Sequence, residues 1–301
     1  MFDDRKYFLH IGVIKSGTTA LQMSVFPRCD ELSYFGKPFP RLASFIRAVN
    51  AHDEAAWARD LPAFAEEMRL YFDLARDKVL LSEEEFSAGG GRTDFADRDT
   101  IARRLHQVFP KATIFVVVRN QLAALQSLYC YAMVVPDDHY VPFNTWLERL
   151  PAISKNGRGL ELFKYAQLVD VYANLFGKER VKVLFYEDMA KRYDWFAREL
   201  ASVLEVDADA FAAIPVERHN VRPSARKLRA LDISRRFSVV ARLVDRLPRK
   251  VAEQLYTWIE GGAAPDVTYT VENERFVRDY YAADNRALEA WLGKPLPRAY
   301  S

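Results

Sequence analysis

Residues Tyr7 to Thr19 read YFLHIGVIKSGTT, an apolar run that ends in a Gly- and hydroxyl-rich turn with one lysine inside it. Tyr7, Phe8, Leu9 and Ile11 favour a strand. Gly12 and Gly17 permit a tight turn, and Thr18 to Phe26 can continue as a helix until Pro27 stops it. A loop of this kind aims backbone N–H groups and the positive end of a helix at an anion. Lys15 adds a point charge, while Ser16, Thr18 and Thr19 add hydroxyl donors.

In the Walker loop, G-x-x-x-x-G-K-[ST], the lysine follows the second glycine. Here the Gly12-to-Gly17 spacing is kept, but the next residue is Thr18 and the lysine stands two places before Gly17. That displacement argues against ordinary ATPase or GTPase chemistry. It leaves Lys15 inside the loop, within reach of a bridging oxygen and of a group being transferred.

Outward from this stretch, four strand-like runs stand out: Tyr7 to Val13, Lys78 to Ser82, Ala112 to Val118 and Val181 to Tyr186. They alternate with helical stretches drawn from about Thr18, Glu54, Arg98, Asn120, Leu160, Met189 and Glu272. Loops are expected at Pro27 to Pro40, Ser87 to Thr93, Val135 to Pro142 and Gly261 to Thr268. The alternation predicts an α/β fold, a P-loop-like parallel sheet flanked by helices on both faces, with a helical C-terminal portion. No repeat, low-complexity segment or clear linker appears, so residues 1–301 are read as a single domain.

The chain has 301 residues, half of them hydrophobic, enough for a sizeable core in a soluble protein. A net charge of +2 gives no global field of the kind that marks a nucleic-acid binder, and none is expected as partner. The charge is uneven, with ten Arg or Lys against two Asp between Arg222 and Lys250. Two cysteines, Cys29 and Cys130, supply neither a disulfide framework nor metal-ligand spacing, so no metal and a reducing, cytoplasmic compartment are expected. The opening MFDDRKYFLH carries acids and no long apolar run, so no signal peptide or membrane anchor is read in it.

Ligands of parallel sheets sit beyond the carboxyl ends of the strands, so the residues after each run matter most. Arg119 follows FVVV where an NTPase would offer a Mg²⁺-binding Asp, which favours an anion site. Ser127 lies eight residues on, about two helical turns along. After Lys78 to Ser82 come Glu83, Glu84 and Glu85; carboxylates clustered at a strand end and partly buried can be poised as a general base. A solvated acidic turn is the plainer reading. His10 is the competing base, although a lone strand histidine is more often a hydrogen-bonded core residue. Glu187 and Asp188, in VLFYEDM, read as helix-capping acids.

These elements together resemble the PAPS-dependent sulfotransferases. The family's 5′-phosphosulfate loop, H-I-G-x-x-K-[ST]-G-T-T, is matched by His10, Ile11, Gly12, Lys15, Ser16, Gly17, Thr18 and Thr19. The Arg119/Ser127 spacing is similar to that of its 3′-phosphate site. LLSEEEFS resembles the S-x-E after the second strand in bacterial and carbohydrate sulfotransferases, with Glu84 at the family's glutamate. HNVRPSARKL resembles the loop that closes over the nucleotide, implying contacts from Asn220, Arg222 and Lys227, although the R-K-G form is missing.

The resemblance implies sulfuryl transfer from PAPS to a hydroxyl, less readily an amine, of a carbohydrate or glycolipid acceptor. Lys15, Ser16, Gly17, Thr18, Thr19, Arg119, Ser127 and Arg222 would hold the nucleotide, Lys15 and Glu84 would carry the chemistry, and His10 ranks behind Glu84. Residues 28 to 60 and 135 to 160 are expected to form the acceptor cleft. Val240, Leu243, Val244 and Leu247 among arginines suggest a core-facing helix; the sharper alternative is peripheral membrane contact through residues 222–250. A P-loop nucleotide kinase and a non-catalytic nucleotide-binding protein are the rival readings. Because sulfotransferases of the Golgi are normally anchored, a piece of a longer membrane-anchored protein is the alternative to a cytoplasmic one.

Overall fold

The computed structural model describes residues 5–38, 41–72, 75–87, 96–135, 140–154, 159–217, 222–237 and 247–300. Five strands, β1 Lys6–His10, β2 Ser33–Phe35, β3 Lys78–Ser82, β4 Thr113–Val118 and β5 Val181–Phe185, form one parallel sheet in the order β2-β3-β1-β4-β5. The order places the ends of β3 and β4 on either side of the end of β1.

Strand side chains alternate between faces, and both faces here are apolar, as a parallel sheet covered on two sides requires. Phe8, Leu80, Phe115, Val117 and Leu184 share a buried cluster with Leu21, Val25 and Phe26 and with Phe196, Leu200 and Leu204 of helix Tyr193–Leu204. The intervening Tyr7 turns the other way, its ring 5.6 Å from Phe72 and 5.3 Å from Phe109. Phe72 ends helix Glu54–Phe72, and Phe109 follows helix Arg98–Val108. Each fully buried aromatic or branched aliphatic side chain contributes roughly 1.5–3 kcal/mol relative to exposure.

Two compact units are formed. The first, residues 1–120, 153–219 and 281–301, holds the sheet; the second comprises 121–152 and 220–280. The second has its own small core of Tyr129, Cys130, Met133, Phe143, Leu228 and Val267. Helices Gln121–Ala132, Phe143–Arg149, Ala225–Arg236 and Arg249–Glu260 belong to it.

Several expectations change. β2 lies inside the loop expected over Pro27 to Pro40; three residues are too few to show alternation. The first strand ends at His10 rather than Val13, because Gly12 turns the chain. Even so, the N–H groups of Ile11 and Val13 still donate to the carbonyls of Phe115 and Val117, both at 3.1 Å. Tyr186 begins a helix, Tyr186–Lys191, instead of ending β5. The helix after the loop is irregular, with an α-turn at Thr18–Ala20, a π-turn at Leu21–Val25 and a 3₁₀ turn at Phe26–Arg28 that takes in Pro27. The expected loop residues 88–93 and 136–139, and Val240, Leu243 and Val244 of the basic stripe, lie outside the described residues. Among the described residues no helix is long and apolar enough to cross a membrane.

Phe115 sits at the centre of this packing, fully buried and stacked on His10 at 4.8 Å. Phe115→Ala is expected to cost about 3–5 kcal/mol, read as a shift of the urea midpoint; a loss below about 1 kcal/mol would contradict the placement of the core.

Candidate active site

The turn after β1 is shaped by three residues with positive φ. Gly12 (φ 103°) and Gly17 (φ 82°) adopt it at little cost. A Cβ on Gly12 would also stand 3.0 Å from the Glu84 carbonyl oxygen, and one on Gly17 would run into Met189 and lie 2.8 Å from the Tyr186 ring. Lys15 adopts φ 65°, a conformation that costs a residue with a Cβ roughly 1–2 kcal/mol. A compensating bond is in place: Arg119 Nη1 donates to the Lys15 carbonyl at 3.0 Å. The loop and the end of β4, read separately in the sequence, are therefore joined directly.

Arg119 is held from several sides. Its guanidinium carbon lies 4.3 Å from the centre of the Tyr186 ring, a cation–π geometry. The Tyr165 hydroxyl donates to its carbonyl at 2.6 Å, and burial pushes that phenol up, which keeps it a donor. The next N–H, of Asn120, donates to Glu187 Oε1 at 2.8 Å. The Asn120 amide donates to the Ala299 carbonyl, and the Tyr300 hydroxyl donates to Glu187 Oε2 at 3.3 Å. Arg119 Nε is buried without a hydrogen-bond partner among the described residues. A charged donor so placed fits an anionic group, since a buried polar atom left without a partner is costly.

Opposite Arg119 lies the end of β3. The Thr18 hydroxyl donates to Glu84 Oε1, and Lys37 Nζ lies 3.6 Å from Glu84 Oε2. The Glu84 side chain is only 15% exposed. Burial pushes the neighbouring Glu83 carboxyl above the usual range. The Ser16 hydroxyl is turned back into the loop, donating to the Val13 carbonyl at 2.5 Å. Lys15 and Thr19 are half-buried in the same loop.

His10 points away from this surface. It is fully buried, hydrogen-bonded through Nδ1 to Ser82 Oγ at 2.6 Å, stacked on Phe115 and edge-on to Phe26. Burial pushes its imidazole down to about 3. The surroundings are those of a core histidine that ties β1 to β3.

Ser127, half-buried on helix Gln121–Ala132, and Arg222, exposed just before helix Ala225–Arg236, belong to the second unit. Lys227 is engaged by Glu260 at 2.6 Å, and Asn220 lies outside the described residues. The acids of VLFYEDM stand in the first turn of helix Tyr186–Lys191, where negative charge favours its dipole, but make no cap bond. Glu187 reaches Asn120 and Tyr300, and Asp188 pairs with Arg192 at 2.6 Å. Among the described residues no cluster of three or more His, Cys, Asp or Glu is placed to hold a metal ion.

No family model and no curated protein matches the chain. Solved structures do. A sulfotransferase from Alicyclobacillus acidocaldarius superposes with a TM-score of 0.57 at 17% identity, over 99% of each chain. A mouse sulfotransferase complexed with PAP superposes with a TM-score of 0.50 at 14% identity, over 97% of this chain and 87% of that one.

His10 makes a pH test of the site's foundation. Its imidazole titrates near 3 in the fold and near 6.5 when unfolded. Between those values the unfolded chain binds the extra proton, so the His10 contribution is complete above pH 6.5 and is lost as pH falls toward 3. The slope is at most about 1.4 kcal/mol per pH unit. Urea midpoints at pH 7 and pH 4.5 should fall more steeply for wild type than for His10→Asn; parallel slopes would contradict the buried neutral imidazole.

Proposed function

With the sulfotransferase fold as premise, we propose that this chain is a single-domain, PAPS-dependent sulfotransferase acting on a hydroxyl of a carbohydrate or glycolipid acceptor. The observation that carries the reading is the bond from Arg119 to the Lys15 carbonyl. It couples a phosphate-type loop with a displaced lysine to a strand end that offers arginine in place of a metal-binding acid.

The loop N–H groups, that of Thr18 among them, with Lys15 and Thr19 would hold the 5′-phosphosulfate while the Thr18 hydroxyl is given to Glu84, and Arg119 would hold the 3′-phosphate, to which its buried Nε is a fitting donor. Ser127 and Arg222 are the further nucleotide contacts that the sequence suggests, and Ser16 gives its hydroxyl to the loop's own shape. PAPS supplies the sulfuryl group. Lys15 stabilises charge on the bridging oxygen as the sulfur–oxygen bond to phosphate breaks and that oxygen keeps the electron pair. Glu84, oriented by Thr18, takes the proton of the acceptor hydroxyl whose oxygen forms the new bond to sulfur. In-line displacement makes the protein's part mainly positioning and electrostatics. No metal enters this scheme. Glu84 is preferred to His10 because the histidine is walled in by Phe26, Phe115 and Ser82.

Cys29 and Cys130, both buried and outside any disulfide, support a reducing, cytoplasmic setting. Helix Arg249–Glu260 exposes Val251, Tyr256 and Trp258 just beyond Arg249 and Lys250, the last residues of segment 222–250, which supports peripheral contact with an anionic membrane at that end of the segment.

Transfer of labelled sulfate from PAPS across a library of sugar and glycolipid hydroxyls tests the reading. Wild type should label at least one acceptor. Lys15→Ala should lose about 10²- to 10³-fold of that rate, and Glu84→Gln about 10²- to 10⁴-fold. Nucleotide binding with no turnover on any acceptor would favour a binding protein, and Mg²⁺-dependent phosphoryl transfer from ATP a kinase.

A further inference from the structure

The short strand β2 delivers a lysine to the acceptor side. After Phe35 the chain turns at Gly36, where a Cβ would lie 2.8 Å from the Ser82 carbonyl oxygen and run into the Tyr34 hydroxyl. Only a residue without a side chain lets this backbone fold back over the end of β3. The turn is fastened by the Tyr34 hydroxyl, which donates to the Lys37 carbonyl at 2.8 Å. Lys37 Nζ arrives 3.6 Å from Glu84 Oε2, while Glu84 Oε1 is taken by Thr18.

The two oxygens of Glu84 are thus used differently. Oε1 accepts a hydrogen bond, which fixes the carboxyl plane. Oε2 faces an ammonium group at a distance too long for a hydrogen bond but short enough for strong Coulombic attraction. With Oε1 taken by Thr18, Oε2 keeps a lone pair open to a proton. The lysine side chain is half exposed and the glutamate 15% exposed, so the cation stands at the rim and the carboxylate beneath it.

We infer that Lys37 is a positioning residue for the general base, steering the Glu84 carboxylate so that Oε2 is the oxygen presented to the acceptor's proton. This rests on the proposed sulfuryl transfer with Glu84 as base. The test uses water as the acceptor, so no acceptor need be known: release of sulfate from labelled PAPS by wild type, Lys37→Met, Lys37→Arg and Glu84→Gln, alongside PAP affinity and thermal midpoint for each.

Lys37→Met should lower the turnover number about tenfold with PAP affinity and midpoint within error of wild type, and Lys37→Arg should restore most of the rate. Lys37→Met turning over like wild type, or losing PAP affinity in step with rate, or Lys37→Arg being as slow as Lys37→Met, would overturn the inference. Glu84→Gln turning over like wild type would instead remove Glu84 as base, and the inference with it. A wild type that binds PAP but passes sulfate neither to water nor to any hydroxyl of the acceptor library would contradict the proposed activity itself.

Discussion

The hydrogen bond from Arg119 to the Lys15 carbonyl is the contact on which the rest of the site depends. It spans two adjacent parallel strands, β1 and β4, at the ends from which their loops leave the sheet. Lys15 sits in a left-handed conformation that is unfavourable for a lysine, and Arg119 carries a charge that is costly to bury. Each meets part of the other's need, since the carbonyl that the turn exposes is the acceptor that the guanidinium lacks. The remaining supports of Arg119 are the Tyr186 ring, the Tyr165 hydroxyl and, through Asn120, Glu187 with the C-terminal Tyr300. They hold the arginine where its other nitrogen can meet an anion.

Sheet order then does the sorting. With β1 flanked by β3 and β4, the phosphate-type loop has an arginine on one side and a glutamate on the other. The arginine and the glutamate are kept apart by the loop between them, as the proposed transfer asks of an anion site and a proton acceptor. Thr18 belongs to the loop and also orients Glu84, so the same turn serves both ends. This is the usual crevice of an open parallel sheet, beyond the carboxyl ends of its strands.

What the sequence makes legible follows from the range of the forces involved. β1, β3 and β4 are near-continuous apolar runs because both their faces are buried, the edge strand β5 exposes only Lys182 in VKVLF, and the loop's glycines and lysine stand within eight residues of one another. Arg119 and Glu84 are legible as strand-end residues once the strands are placed. Lys37 is not, because the three-residue β2 carries no alternation and Gly36 reads as an ordinary loop glycine; its meaning lies in the crowding against Ser82 and Tyr34. Glu187 and Tyr300 are equally hidden. An acid after a strand looks like a helix cap until the fold brings Asn120 and a tyrosine from the chain's end within reach. His10 is ambiguous in sequence and settles only when Phe115, Phe26 and Ser82 are seen around it.

Calorimetric titration of wild type with PAP and with AMP, which lacks the 3′-phosphate, in Mg²⁺-free buffer reaches most directly to the claim that Arg119 and the Lys15 loop form one phosphosulfate-nucleotide site. PAP should bind at least about tenfold more tightly than AMP, a difference of about 1.4 kcal/mol or more, and Arg119→Ala should erase that margin. Equal affinity for PAP and AMP in wild type, or no binding of either, would contradict it.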